Sequence, residues 1–323
     1  MKKYFNIYIW IYPCAFFLFD CASQKKAMQQ LENYNWFSFN WYSAAISGKK
    51  FDHLAILVPA KVNDLKANFI LQFDLGSDAT LLYGNVLNSY YSENEINNFL
   101  LKDRKGISDA GHISYDTDGL RIEMGDFIIK NPSFKENYGL SVARDSLYSS
   151  QAKNIGTLGA DAFQDKILII DYPNKKMCVL NELDDYLKKN TTFIQARSKN
   201  GRLHIPFTIK NKTYWFLFDT GASLFPINTN KGLWKELVER QIPLDTIEGN
   251  SWGEKVKFYG GPMKKTVYLN KYKLKNSFAW YNENKRLQDF NKSENIDGLT
   301  GNIYFIKNII VLDFKSYKFG ILK

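Results

Sequence analysis

Two aspartates carry the strongest chemical signal in this chain. Asp74 closes the apolar run Phe69-Ile70-Leu71-Gln72-Phe73, and Asp219 closes Tyr214-Trp215-Phe216-Leu217-Phe218; glycine follows two residues later in each case, as Gly76 and Gly221. Two carboxylates brought within a few Å of each other cannot both ionise cheaply, so they share one proton and titrate as a pair. Such a pair is acid and base at once. Its ionised member takes a proton from a water attacking a peptide carbonyl, while its protonated member donates to the developing oxyanion. Gly76 and Gly221 suit loops that turn sharply and approach one another without side-chain collision. Taken singly, an Asp-x-Gly is read as a turn at a strand end. Other chemistries are poorly supplied: three cysteines and three histidines leave little for a Cys/His metal cage. His53, His112 and His204 stand isolated, so no Ser/His/Asp arrangement can be built on them. Neither a metal nor another cofactor is expected.

The elements that must position the two aspartates come from a repeat. Ala55 to Val62, a polar turn and Phe69 to Gly76 match Leu203 to Lys210, a turn and Tyr214 to Gly221, each reading as a hairpin that ends in Asp-x-Gly. Leu120 to Asn131 matches Thr266 to Asn276, with two-residue turns at Gly125-Asp126 and Asn270-Lys271. Gly156-Thr157-Leu158-Gly159, Phe163 and Ile167 to Tyr172 match Gly298-Leu299-Thr300-Gly301, Phe305 and Ile309 to Phe314. The first two stretches recur at a spacing of 145 residues and the third at 142, in the same order. The chain therefore reads as a duplicated β-rich unit. Helical patterns are expected at Glu93 to Asp103, Lys231 to Gln241 and Glu182 to Lys189, with Glu182 to Arg202 joining the units. Asp171 and Asp313 repeat too, but the turns that follow them point to structural capping. The aromatic stretch from Lys25 to Gly48 has no clear period and is expected to pack on the outside of a unit.

The 323 residues are 45% hydrophobic and 24% charged, enough apolar material for buried cores and against a disordered chain. The net charge of +10 is spread in doublets such as Lys49-Lys50, Lys175-Lys176 and Lys264-Lys265. No recognition helix, zinc spacing or RNA-binding aromatic signature accompanies them, so nucleic acid is not an expected partner. Residues 1–23 have the layout of a secretory signal: Lys2-Lys3, an apolar run from Tyr4 to Phe19, then Ala22-Ser23. The run is short for a membrane span and Pro13 interrupts it. Cys21 after the apolar core is similar to a bacterial lipoprotein signal, in which that cysteine is acylated; Leu18 fits the pattern and Asp20 does not. Lipid attachment to a membrane through Cys21, ordinary cleavage near Ser23 and a retained anchor stay open, and export is the expectation for the first two. The destination is then the periplasm, the outer membrane as a lipoprotein, or the medium. Cys178 is left as the one thiol in the body of the chain.

Over residues 51 to 323 the sequence resembles the pepsin and retropepsin superfamily of aspartic proteases. Phe218-Asp219-Thr220-Gly221-Ala222-Ser223 agrees with that family's catalytic loop. Leu158-Gly159-Ala160-Asp161-Ala162-Phe163 followed by Ile169-Ile170-Asp171-Tyr172 is similar to its lobe-closing strand pattern. The resemblance implies an all-β, bilobal fold of two β-barrel-like lobes with few short helices, one catalytic aspartate from each lobe meeting at the cleft. The division is then a signal at 1–23, an extension at 24–50, an N-terminal lobe at 51–190 and a C-terminal lobe at 191–323. It implies an endopeptidase acting on polypeptide substrates as a monomer, since one chain supplies both Asp74 and Asp219. Gly76, Ser77, Thr220, Gly221 and Ser223 would support the catalytic loops, with the Ser77 hydroxyl on the outer oxygen of Asp74. A flap is expected at Gly111 to Gly119 with Tyr115 at its tip. Leu75 departs from the family, where Thr or Ser reaches across to the opposite loop, so half of that cross-lobe hydrogen bonding is expected to be missing. The alternative is a catalytically silent module of the same fold that binds peptides or an envelope partner.

Overall fold

Alternation along the strands decides where the cores lie. Phe69, Leu71 and Phe73 are buried while Ile70 and Gln72 are half-exposed, and the Lys49–Val62 strand buries Ile56, Val58, Ala60 and Val62 on one face. The computed structural model describes residues 31–107, 111–251, 253–275 and 278–323. Residues 1–23 and Cys21, the expected signal and lipidation site, lie outside the described residues. The protein is mainly β, with 48% strand and 16% helix, arranged as two large mixed sheets and one antiparallel sheet.

The two large sheets have ten strands each and the same connectivity. From edge to edge the first runs Leu100–Ile107, Ile113–Thr117, Ser133–Lys135, Leu81–Tyr83, Lys153–Leu158, Phe69–Phe73, Lys49–Val62, Arg121–Met124 and Phe127–Lys130, with Asn40–Ile46 also paired to Lys49–Val62. The second runs Asp245–Ser251, Glu254–Pro262, Phe278–Asn282, Asn228–Thr229, Gly298–Thr300, Lys212–Phe218, Arg202–Ile209, Val267–Leu269 and Tyr272–Leu274, with Arg197–Lys199 on Arg202–Ile209. Each strand has its counterpart at the same place in the order. Neither sheet closes, so the expected barrel-like units are open sheets: the hairpins at the two ends of each path do not pair with one another.

The third sheet, six antiparallel strands, is a palindrome. Its order is Trp36–Ser38, Lys176–Leu180, Ile167–Asp171, Ile309–Asp313, Lys318–Leu322 and Thr191–Gln195. At its centre Ile169 faces Val311, Ile167 faces Asp313 and Asp171 faces Ile309. Ile169 and Val311 are counterparts in the repeat, so a local two-fold axis passes between them. The flanking turns are capped as expected: Asp171 accepts from the Asn174 backbone N–H at 3.1 Å, and Asp313 from those of Lys315 and Ser316 at 2.9 Å.

The palindrome also gives the aromatic N-terminal stretch a place. Trp36–Ser38 is the counterpart of Thr191–Gln195, and Asn40–Ile46 is that of Arg197–Lys199. Phe39 is buried and Trp41 stacks on Tyr172 at 5.9 Å. The two hairpins differ in length. Lys49–Val62 has 14 residues where Arg202–Ile209 has 8, and the surplus lies at the Lys49 end, carrying Ile46 and Phe51 onto the second unit's cluster around Phe225, Ile247 and Phe258. Lys49 reaches Asp245 there at 2.6 Å.

All three expected helices form, each shorter than or shifted from its sequence pattern. The first, Glu93–Phe99, opens on a capping box between Ser92 and Glu95 and stops at Phe99; Leu100–Ile107 then pairs with Ile113–Thr117, so strand pairing overrides the helical propensity of Leu101 to Asp103. The second, Lys231–Leu237, ends because Val238 bridges to Met263. The third is Asp185–Asn190, capped by Asp184.

Candidate active site

Parallel pairing sets the aspartates. Phe69–Phe73 runs parallel to Lys153–Leu158, and Lys212–Phe218 runs parallel to Gly298–Thr300. Each ladder continues one residue past its strand: the Asp74 N–H donates to Leu158 O and the Asp219 N–H to Thr300 O, both at 2.9 Å. The two carboxyls thus leave equivalent strand ends and meet between the sheets, half-buried and within hydrogen-bonding reach of each other.

Each carboxyl lies against the glycine of the opposite loop. A Cβ on Gly76 would stand 2.6 Å from Asp219 Cγ, and one on Gly221 would stand 2.5 Å from Asp74 Cγ, so neither position admits a side chain without moving the pair. The Gly76 N–H donates to Asp74 Oδ1 and the Ala222 N–H to Asp219 Oδ1, each at 2.9 Å. Burial raises the pKa of both groups. For Asp219 the neighbouring Asp74 charge adds to burial and carries it well above the usual carboxylate range; for Asp74 the hydrogen bond from Asp219 works the other way. The two carboxyls therefore titrate as a pair that holds one proton between them.

The loops are tied together from one side. The Thr220 hydroxyl accepts from the Leu75 N–H at 2.8 Å and donates to Phe73 O at 3.2 Å. Leu75 is 1% exposed and belongs to the main apolar core, so the reciprocal pair of hydrogen bonds expected to be missing is replaced by packing. Two support assignments change. The Ser77 hydroxyl donates to Ala79 O at 2.8 Å within its own turn, and the Ser77 N–H donates to the Asp74 backbone carbonyl at 3.1 Å. Ser223 Oγ accepts from Asn302 Nδ2 at 3.0 Å; that amide also donates to Thr220 O at 3.0 Å and receives the Tyr172 hydroxyl at 2.6 Å. Ser223 thus holds the backbone of its loop rather than a carboxyl.

A second tie was invisible in the sequence. Arg202, at the start of a second-unit strand, places Nη1 3.5 Å from Gly76 O and 3.6 Å from Asp78, while Nη2 donates to Glu294 at 2.9 Å. His204 meets the other Glu294 oxygen at 3.2 Å. Burial pushes the His204 imidazole below its usual range against the pull of Glu294. His204 is therefore not isolated, but its partner lies 90 residues away in sequence and no spacing rule points to it.

The flap assignment moves as well. The hairpin at that edge is Leu100–Ile107 with Ile113–Thr117; of the residues joining the two strands, 108–110 lie outside the described residues. Tyr115 sits within a strand, opposite Lys105 and Phe134 and packed against the core, and is not a tip residue. The residue that sequence reasoning missed on this wall is Tyr83, close enough to feel the Asp74 charge and held by a 2.7 Å hydrogen bond between its hydroxyl and Thr157. Among the described residues no group of three or more His, Cys, Asp or Glu side chains could hold a metal. No protein-family model matches the chain, and no curated protein matches it.

Proposed function

We propose that the protein is an aspartic endopeptidase of the bilobal pepsin type, its two sheet units acting as lobes and Asp74 and Asp219 as the catalytic pair. The observation that carries this reading is the carboxyl contact itself, with each carboxyl seated on the other loop's glycine. A structural aspartate at a strand end needs no partner of its own charge, and placing two together in a buried site raises their pKa at a cost in stability; such arrangements mark functional sites. In the proposed reaction the ionised member of the Asp74–Asp219 pair takes a proton from a water attacking the scissile carbonyl, and the protonated member donates to the carbonyl oxygen. The tetrahedral species then collapses as a proton reaches the leaving nitrogen. One chain provides the whole site, so the working form is a monomer. Export directed by residues 1–23, with Cys21 as an acylated first residue in one variant, belongs to the same proposal; intact-mass measurement of the native protein tests it.

A quenched-peptide library assayed from acid to neutral pH tests the activity. Wild type should cleave, and Asp74→Asn and Asp219→Asn should each lose about 10²-fold or more in kcat while unfolding at a similar temperature. Cleavage unaffected by Asp74→Asn would sink the shared-proton mechanism. One observation favours a second reading, a silent peptide-binding module: the hydroxyl interlock is present only on the Thr220 side. That reading expects peptide binding without turnover in the same assay.

A further inference from the structure

Beside the aspartate pair, the first unit presents a lysine that no carboxylate among the described residues pairs with. Lys135 ends the Ser133–Lys135 strand, next to Tyr83 in the parallel ladder with Leu81–Tyr83. Its ammonium lies 3.7 Å from the centre of the Tyr138 ring, and that ring meets Tyr83 edge-on at 4.8 Å. His112 approaches the same Tyr138 ring at 5.1 Å. Arg286, from the second unit's Lys285–Glu294 helix, is near enough to repel both Lys135 and His112 across the gap between the units. It also pairs with Glu254 at 3.7 Å and, with Glu254, Asp289, Lys285 and Phe290, lines a separate open cavity of about 610 Å³.

Lys135 and Arg286, cations from two units, thus approach one another beside the His112 imidazole, two aromatic rings away from Asp74. Lys135 is half-buried, and no carboxylate among the described residues pairs with it. Holding an ammonium away from water beside like charges is unfavourable unless an anion arrives to offset it. Burial and Arg286 together lower the Lys135 pKa, the sign of a cation that lacks a counter-charge. An extended peptide advances about 3.3 Å per residue, so the cluster lies a few residues from the scissile bond of a bound chain. The net charge of +10 would speed the approach of an acidic ligand, but it is the local convergence that assigns a position.

We propose, building on the endopeptidase reading, that the cleft selects peptides bearing a carboxylate a few residues from the scissile bond, received by Lys135, with His112 and Arg286 as its neighbours. Two sources share that chemistry: an Asp or Glu side chain, and the free C-terminus of a short peptide.

The test is a set of quenched peptides differing only by Glu or Gln at each position around the bond, each made with free and amidated ends. Glu should exceed Gln at one position by about tenfold in kcat/KM, with the gap narrowing as salt rises. A preference that vanishes on amidation identifies the chain end as the source, and one that survives identifies the side chain. Lys135→Glu should reverse the preference toward Lys, and should it fail to fold, Lys135→Met keeps the stem over Tyr138 and should erase it. Cleavage of all peptides at equal rates overturns the inference and leaves the protease reading intact. If nothing is cleaved, the same labelled peptides are titrated against Asp219→Asn by fluorescence anisotropy: tighter binding of Glu than Gln peptides upholds the acidic preference without turnover, and equal or absent binding overturns it.

Discussion

The loop Asp74-Leu75-Gly76-Ser77-Asp78 and the loop Asp219-Thr220-Gly221-Ala222-Ser223 occupy equivalent places in equivalent sheets, yet they are held by different forces. The second is braced by polar groups close at hand: Asn302 bonds Thr220 O and Ser223 Oγ, and the Tyr172 hydroxyl fixes Asn302 from the first unit. The first is clasped by the second unit. Thr220 takes its Leu75 N–H, Arg202 reaches its Gly76 and Asp78, and Leu75 itself contributes only packing. Duplication conserves where strands go far more strictly than how their ends are secured. The first unit adds the Ala160 N–H to Ser77 O at 2.9 Å, so two loops secured by different side chains can still bring two carboxyls into contact.

The comparison breaks most severely at Arg202. Arg202→Met strips the first loop of its clasp and leaves Glu294 buried without its strongest partner, a change expected to cost about 3–5 kcal/mol, read by urea denaturation. Peptidase activity should fall along with stability, since Gly76 carries the N–H that steadies Asp74. If activity persists at full rate in folded protein, Arg202 has no positioning role.

Leu75 and Thr220 sharpen the contrast directly. Leu75→Thr restores a hydroxyl worth about 0.5–1.5 kcal/mol at best, but it removes apolar volume from a position 1% exposed, where shortening leucine typically costs about 2–5 kcal/mol. The cavity should win, and the variant should be less stable by about 1–3 kcal/mol. Thr220→Val orphans the buried Leu75 N–H, for a loss of about 1–3 kcal/mol. Equal tolerance of both changes would show that the loops are interchangeable after all.

A smaller effect separates the two aspartates by pH. An acid whose pKa is raised on folding favours the folded state most fully below its ordinary range, and that contribution is lost as pH rises through the folded value. Asp219 is the more strongly raised of the pair. Asp219→Asn should therefore gain in stability relative to wild type as pH is taken from about 4 to about 7. Denaturation midpoints at the two ends decide it, and parallel curves would contradict the buried shared proton. The smallest change is expected at Lys49→Ala, where an ion pair to Asp245 with a half-exposed lysine is worth about 0–1 kcal/mol.

Much of this arrangement was legible beforehand, and what was not has a common cause. The matched stretches from Ala55 onward locate the strands that carry Asp74 and Asp219, because alternation and strand-ending motifs are local signals. The role of Trp36 to Ile46 was not readable, since Trp36 pairs with Cys178 and Phe37 with Met177, and nothing in an aromatic run names a partner so distant. Arg202, Glu294 and His204 were missed for the same reason, being brought together only by tertiary structure. Ser77 and Tyr115 were misassigned because a family pattern fixes positions along a chain, whereas a hydroxyl's partner depends on which way a turn directs it. The helix expected through Asp103 ended at Phe99 because a neighbouring strand claimed the backbone of the residues that follow.

The palindromic sheet has a consequence for how the chain is made. Ile167–Asp171 is buried at all five positions in the finished protein, with Ile309–Asp313 along one edge. During synthesis that edge stands open while well over a hundred further residues are added, an apolar strand with unpaired backbone groups and a sequence-related partner on every neighbouring nascent chain. The second half of the sheet closes later still, because Thr191–Gln195 must wait for Lys318–Leu322, more than a hundred residues further along the chain. A ribosome stalled before residue 309 would therefore present half of a self-complementary interface, and two such chains would satisfy each other before either was complete.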